Sequence, residues 1–210
     1  AAAWVPGGQM HHTRGNVNAV LLPDGKVLIF GGTGGYKWDG GAAADQRRFI
    51  AELWNPSLPY DPANPTAAFT ETGEMHRSRQ YHSGGILLPD GRVLVAGGED
   101  NLGLTASGVG PQPGEKVGSS QRTMEFYEPP YMHNGARPAI TAIGETGGPD
   151  GEIHYGGAFT VTTPATDIGS VVLMRPGCTT HHTDTEQRHV PLVFWPVAGG
   201  YRAQVVSDPA

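Results

Sequence analysis

Short apolar runs broken by turn residues dominate this chain, and two of the runs are near-copies. AVLLPDGKVLIFGG (Ala19 to Gly32) returns 66 residues later as GILLPDGRVLVAGG (Gly85 to Gly98). Each copy is an apolar run, a Pro-Asp-Gly turn, a second apolar run and a double glycine. Proline presets φ, aspartate hydrogen-bonds the turn backbone, and glycine takes the left-handed position, so each copy predicts a β-hairpin. The second runs, Val27 to Phe30 and Val93 to Ala96, are apolar on both faces, as strands covered on both sides should be. A third strand is predicted after each hairpin, at Ile50 to Trp54 and Thr123 to Tyr127. Both end where an aromatic meets a proline, at Trp54-Asn55-Pro56 and Tyr127-Glu128-Pro129. Gly8-Gln9-Met10-His11 likewise matches Gly73-Glu74-Met75-His76. A repeated hairpin means stacked blades of sheet.

The rest of the first half reads as loops: Thr33 to Arg48, Leu58 to Phe69 and Asp100 to Gln121. From Glu128 to Pro138 the chain is rich in Pro, Gly and Asn, which predicts a domain boundary. Beyond it, strands are predicted at Ile140 to Ile143, Ala158 to Thr163, Ser170 to Met174, Val190 to Trp195 and Tyr201 to Val206. Their spacing suits an immunoglobulin-like sandwich, with fewer strands than the seven such a fold wants. The expectation is an all-β chain with two domains. Residues 1–131 form about two blades, and residues 138–210 form an incomplete sandwich. Two blades cannot close a ring, so the remaining blades are expected on a missing segment or on another chain.

Composition narrows the function. The chain has 210 residues with 32 Gly and 18 Pro, which favours turns over long helices. A net charge of −6 argues against a nucleic-acid partner, and no stretch is apolar enough to span a membrane. The single cysteine, Cys178, excludes an intrachain disulfide. Its small side chain predicts a buried filler, the alternative being a thiolate near a metal.

The two copies also control for each other, because what differs between them is not needed for the blade. Aligned on the turns, Tyr81-His82 falls opposite Gly15-Asn16. A lone Tyr-His pair is ordinarily packing. A second cluster, Gly177 to Leu192, holds His181, His182 and His189 in one loop between predicted strands. Imidazole suits copper, zinc, iron and nickel alike, so the loop alone names no metal.

Taken together and in order, the clusters resemble the galactose oxidase and glyoxal oxidase family of copper-radical oxidases. The first motif is Arg79-Gln80-Tyr81-His82-Ser83 leading into Leu87 to Val93. The second is Gly177, Thr180-His181, Thr185, Gln187-Arg188 and Pro191-Leu192. The resemblance implies a kelch propeller holding one copper ion, and a sandwich domain whose hairpin delivers a histidine to it. His82 and His181 would then be imidazole ligands. Tyr81 would be the axial phenolate and catalytic base. Thr180, Gln187 and Arg188 would orient the hairpin, and His182 is not expected to bind. The family's Tyr-Cys radical cofactor is expected in the intact protein but not in this chain, so the chain alone should be inactive. The resemblance further implies secretion, and oxidation by O2 of a primary alcohol, aldehyde or carbohydrate to give H2O2. The alternative is a noncatalytic kelch and sandwich module that binds glycan or protein through the Asp100 to Gln121 loop.

Overall fold

The computed structural model describes residues 2–34, 47–98, 121–145, 152–181 and 183–207. The chain divides into two compact units. Ala1–Pro129 with Pro176–Gln187 form the first, and Pro130–Arg175 with Arg188–Ala210 form the second.

The first unit begins with an antiparallel sheet of four strands. They are β1 (Asn18–Leu21), β2 (Val27–Phe30), β3 (Ile50–Trp54) and β4 (Phe69–Glu74), paired in chain order. A second sheet repeats the first three: β5 (Ser83–Leu87), β6 (Val93–Gly97) and β7 (Met124–Tyr127). Both Pro-Asp-Gly turns form as the residues dictate. Gly25 and Gly91 take φ of 81° and 87°. Each is locked by paired backbone bonds, Leu22 N to Lys26 O at 2.9 Å and Leu88 N to Arg92 O at 2.8 Å. Asp24 and Asp90 accept the backbone N–H two residues on, at 3.2 and 3.0 Å.

β4 lies where the sequence predicts only the end of a loop and a Gly-Glu-Met entry. Its residues are half-buried or exposed throughout, so an outer strand of this kind carries no apolar period to read. The middle strands depart from expectation too. Leu28 and Phe30 are buried whereas Val27 and Ile29 are only half-buried. The buried side, with Val20 and Phe30, packs on the second sheet at Gly85. A Cβ there would stand 2.6 Å from the Phe30 ring. The first sheet covers one face of the second, and on the other face Met124 and Phe126 stay exposed, so the cover is not two-sided.

Each sheet is also clasped by a buried arginine. Arg14 donates to the carbonyls of Gly31 at 3.0 Å and Ile50 at 2.6 Å, and to the Glu52 carboxylate at 3.0 Å. Glu52 accepts the backbone N–H of His11 at 2.8 Å. The second sheet repeats this with Arg79, the Gly97 and Thr123 carbonyls at 2.9 Å and Glu125 at 2.9 Å. Glu125 accepts the His76 N–H at 2.6 Å. Burial pushes the Glu52 carboxyl up. The bonds from His11 and Arg14 outweigh it and hold the group below its ordinary value.

The second unit opens with a short 3₁₀ turn at Pro130–His133. Its larger sheet contains β8 (Ala142–Glu145) and β9 (Ala158–Thr162), and its smaller one begins with β10 (Val172–Arg175). In sequence the hairpin of β11 (Thr179–Thr180) and β12 (Thr183–Asp184) comes next, although its contacts place it in the first unit. β13 (Arg188–Pro191) pairs with β10, while β14 (Val193–Val197) and β15 (Gly200–Gln204) complete the larger sheet in the order β14-β15-β9-β8. The run predicted as one strand from Val190 to Trp195 is thus two, broken at Leu192. Leu192 is buried in the core with Phe159, Val161, Ala203 and Val205. Residues 35–46 of the loop predicted from Thr33 to Arg48, most of the Asp100 to Gln121 segment, and His182 lie outside the described residues.

Candidate metal centre

Tyr81 and His82 are the two central residues of a tight turn that leads into β5. Ser83 N donates to Gln80 O at 3.0 Å and closes it. His82 has φ of 61°, the left-handed conformation that a type II turn requires at its third position. Asn16, its counterpart in the first copy, has φ of 55°. The left-handed step therefore belongs to the repeat, and the imidazole belongs to the second copy alone. A turn also places two successive rings side by side, which an extended strand would not. Gly97 and Gly98 give this turn room. Cβ atoms on them would stand 3.0 Å from His82 O and 3.2 Å from Gln80 N.

His181 occupies the first loop position of the β11–β12 hairpin. Thr180 pairs with Thr183, leaving a two-residue loop. Such loops need positive φ at the first position, and His181 has 50°. Asp184 holds the hairpin together. Its carboxylate accepts from Cys178 N at 3.2 Å, Thr179 Oγ1 at 3.1 Å, Glu186 N at 3.1 Å and Gln187 N at 3.2 Å. Burial alone would raise this carboxyl, but the bonds overcome it and the net direction is downward. Gly177 packs so close to the Asp184 carboxylate that any side chain there would overlap it.

The hairpin is fixed to both sheets of the first unit. Thr179 Oγ1 lies 3.2 Å from Gly85 O on β5, so its one hydrogen is shared between that carbonyl and the Asp184 carboxylate. Gln187 imitates a neighbouring strand on β1. Its Oε1 accepts Leu21 N at 2.5 Å, and its Nε2 donates to Ala19 O at 3.0 Å. The result is a cluster of three rings. Tyr81 and His82 have centroids 3.8 Å apart, His82 and His181 5.0 Å, and Tyr81 and His181 6.1 Å. Both imidazoles are on exposed residues, and Tyr81 is half-buried. Thr180 Oγ1 lies 2.8 Å from His181 Nδ1, which leaves Nε2 as the nitrogen available to a metal.

Two imidazoles and a phenol form a donor set that suits a tetragonal copper(II) ion. Among the described residues no group of three or more His, Cys, Asp or Glu is placed to hold a metal. The ring cluster stands apart from such groups because its third donor is a phenol. Of the residues expected to orient the hairpin, Thr180 and Gln187 make bonds of that kind. Arg188 is exposed at the start of β13. Cys178 is exposed, not the buried filler its small side chain implies. It lies at the base of a hairpin whose bonds are polar and centred on Asp184, which accepts the Cys178 N–H. Sequence reasoning missed Asp184 and Thr179. An aspartate followed two and three residues on by free N–H groups is an Asx-turn pattern, and that was the available signal.

Comparison with known proteins gives the kinship. Residues 137–209 match the family described as "Galactose oxidase-like, Early set domain". The chain is 30% identical over 201 residues to galactose oxidase of Gibberella zeae, covering 90% of this chain and 24% of that protein. The chain is kin to the galactose oxidase and glyoxal oxidase family. It is also 28% identical over 205 residues to the aldehyde oxidase GLOX1 of Arabidopsis thaliana, covering 92% of this chain and 31% of the relative. The fold matches a fungal alcohol oxidase solved in complex with copper. That match has a TM-score of 0.68 at 24% identity, over 95% of this chain and 37% of the other. This chain therefore spans about a quarter to a third of its curated relatives.

Proposed function

We propose that Tyr81, His82 and His181 hold one copper ion, and that the intact protein oxidises a primary alcohol or aldehyde with O2. An alcohol RCH2OH would give RCHO, with O2 reduced to H2O2. The observation that carries this reading is the meeting of three rings from stretches about a hundred residues apart, at centroid separations of 3.8 to 6.1 Å. The relatives' names, galactose oxidase and aldehyde oxidase, support it.

In this reading the residues of the chain divide the work. His82 and His181 present imidazole nitrogens, and Thr180 keeps His181 oriented with Nε2 outward. The Tyr81 phenolate takes the proton of the substrate hydroxyl, as a positioned base does. Copper, together with a tyrosyl radical contributed from outside this chain, supplies the one-electron chemistry. The first unit is then part of a kelch propeller, and the hairpin reaches it from the sandwich domain.

The two sheets support the proposal of further blades. Ala51 and Leu53 on β3 are 3% and 5% exposed, whereas their counterparts on β7, Met124 and Phe126, are 61% and 49% exposed. The same face is covered in one copy and bare in the other, which a further blade would correct. Such blades would also carry the Tyr-Cys pair and the substrate contacts, and secretion would follow from kinship.

Copper(II) titration followed by paramagnetic resonance tests the site. The expected result is one ion per chain with coupling from two nitrogens, and loss of one nitrogen on His82→Ala or His181→Ala. A signal without nitrogen coupling, or one unchanged in both variants, would leave a binding module as the better reading.

A further inference from the structure

We propose that Asn18, a buried side chain of the first sheet, positions the Tyr81–His82 pair of the second sheet through Ser83. This inference rests on the metal-centre reading above and adds a residue to it. Asn18, Ser83 and Gln80 are 2%, 3% and 3% exposed. Asn18 Nδ2 donates to Ser83 Oγ at 2.7 Å, and Ser83 Oγ donates to Gln80 O at 2.6 Å. The proton count fixes the direction. The hydroxyl has one hydrogen and spends it on Gln80 O, so Asn18 must turn its amino side to Ser83. Gln80 O also receives Ser83 N, so the relay acts on the carbonyl that closes the Tyr81–His82 turn.

The repeat shows that the blade itself does not need this relay. At the 66-residue offset, Asn18 corresponds to Gly84, and Ser83 corresponds to Val17. Neither copy keeps the other's residue. Only the second copy bears Tyr-His on its turn, and among the described residues only that turn is tied across to the neighbouring sheet in this way. The relay also works against stability. Asn18 Oδ1 is buried with no partner among the described residues, and an unmade buried acceptor is unfavourable. A residue kept for packing alone would be apolar here. The relay instead holds a left-handed histidine and its tyrosine at one angle to His181, while Gly97 and Gly98 leave the turn no side chain to lean on.

The test uses the whole chain with Asn18→Leu, Ser83→Ala and Ser83→Thr. In metal-free protein, hydrogen exchange at the Ser83 amide should speed up about tenfold in Ser83→Ala and in Asn18→Leu. Copper(II) affinity should fall about tenfold or more in both, as is usual when a ligand loses its orienting partner. The copper resonance should broaden, and Ser83→Thr should restore all three readouts. Melting temperature should stay level or rise in Asn18→Leu, which a purely structural role would not produce. Wild-type exchange and wild-type copper resonance in both variants would overturn the inference. If Asn18→Leu does not fold, Ser83→Ala against Ser83→Thr decides. If the wild-type chain binds no copper through nitrogen, the metal reading fails by itself. The exchange result then still decides whether Asn18 holds the turn.

Discussion

The left-handed backbone at His82 yields a prediction with an unusual sign. A non-glycine residue at φ of 61° sits in a region that disfavours most side chains, by roughly 1–2 kcal/mol per residue. Asparagine tolerates it better because its short amide bonds locally, and the first copy uses Asn16 at this step. His82→Asn should therefore relieve about 1 kcal/mol of backbone strain. It also removes the ring beside Tyr81, and a pair of that kind contributes about 0.5–1.5 kcal/mol, at the low end for an exposed residue. With the low end of that range, the net change should lie between roughly zero and 0.5 kcal/mol in favour of the variant. For a chain of this size that is a melting temperature level with wild type or up to about 2 °C higher. Copper(II) affinity should move the other way, falling at least about tenfold, or about 1.4 kcal/mol. Calorimetry and a copper titration on the same samples read both quantities. A variant that melts several degrees lower with unchanged copper affinity would refute the reasoning and make His82 a packing residue.

Two further outcomes follow from the arginine clasps. Glu125→Ala leaves the buried Arg79 guanidinium with only neutral partners, and losing one half of a buried pair costs about 3 kcal/mol or more. Urea unfolding should show that loss at an unchanged slope, and a loss below about 1 kcal/mol would contradict it. Glu52 ionises below its ordinary pH when folded. Its contribution is therefore whole above the unfolded carboxyl value of roughly 4.3 and is lost as pH falls through the lower folded value. Glu52→Gln should flatten that acid limb of stability against pH, and an identical limb in both proteins would show the clasp to be irrelevant there.

The parts of the fold legible in the sequence were those written locally. Pro23-Asp24-Gly25 and Pro89-Asp90-Gly91 fix their hairpins within five residues, and the double glycines announce close backbone approach. β4 was illegible because Phe69 is the one apolar residue from Phe69 to Glu74 and no position there is fully buried, so nothing periodic marks it. The clasps were illegible one at a time, since Arg14 and Glu52 are far apart in sequence. The repeat preserves both partners as Arg79 and Glu125, so comparing the copies for what they share would have found them. Tyr81, His82 and His181 were singled out through copy difference and motif order. What sequence could not supply was their support. Asp184 acts through backbone N–H groups, and Asn18 acts across two sheets, so neither leaves a pattern of its own.

The most direct measurement is anomalous diffraction at the copper edge from crystals of the chain soaked in copper(II). A single peak within bonding distance of the Tyr81 oxygen and of one nitrogen each from His82 and His181 is the predicted result. A peak elsewhere, or none among these three rings at full copper loading, would contradict it.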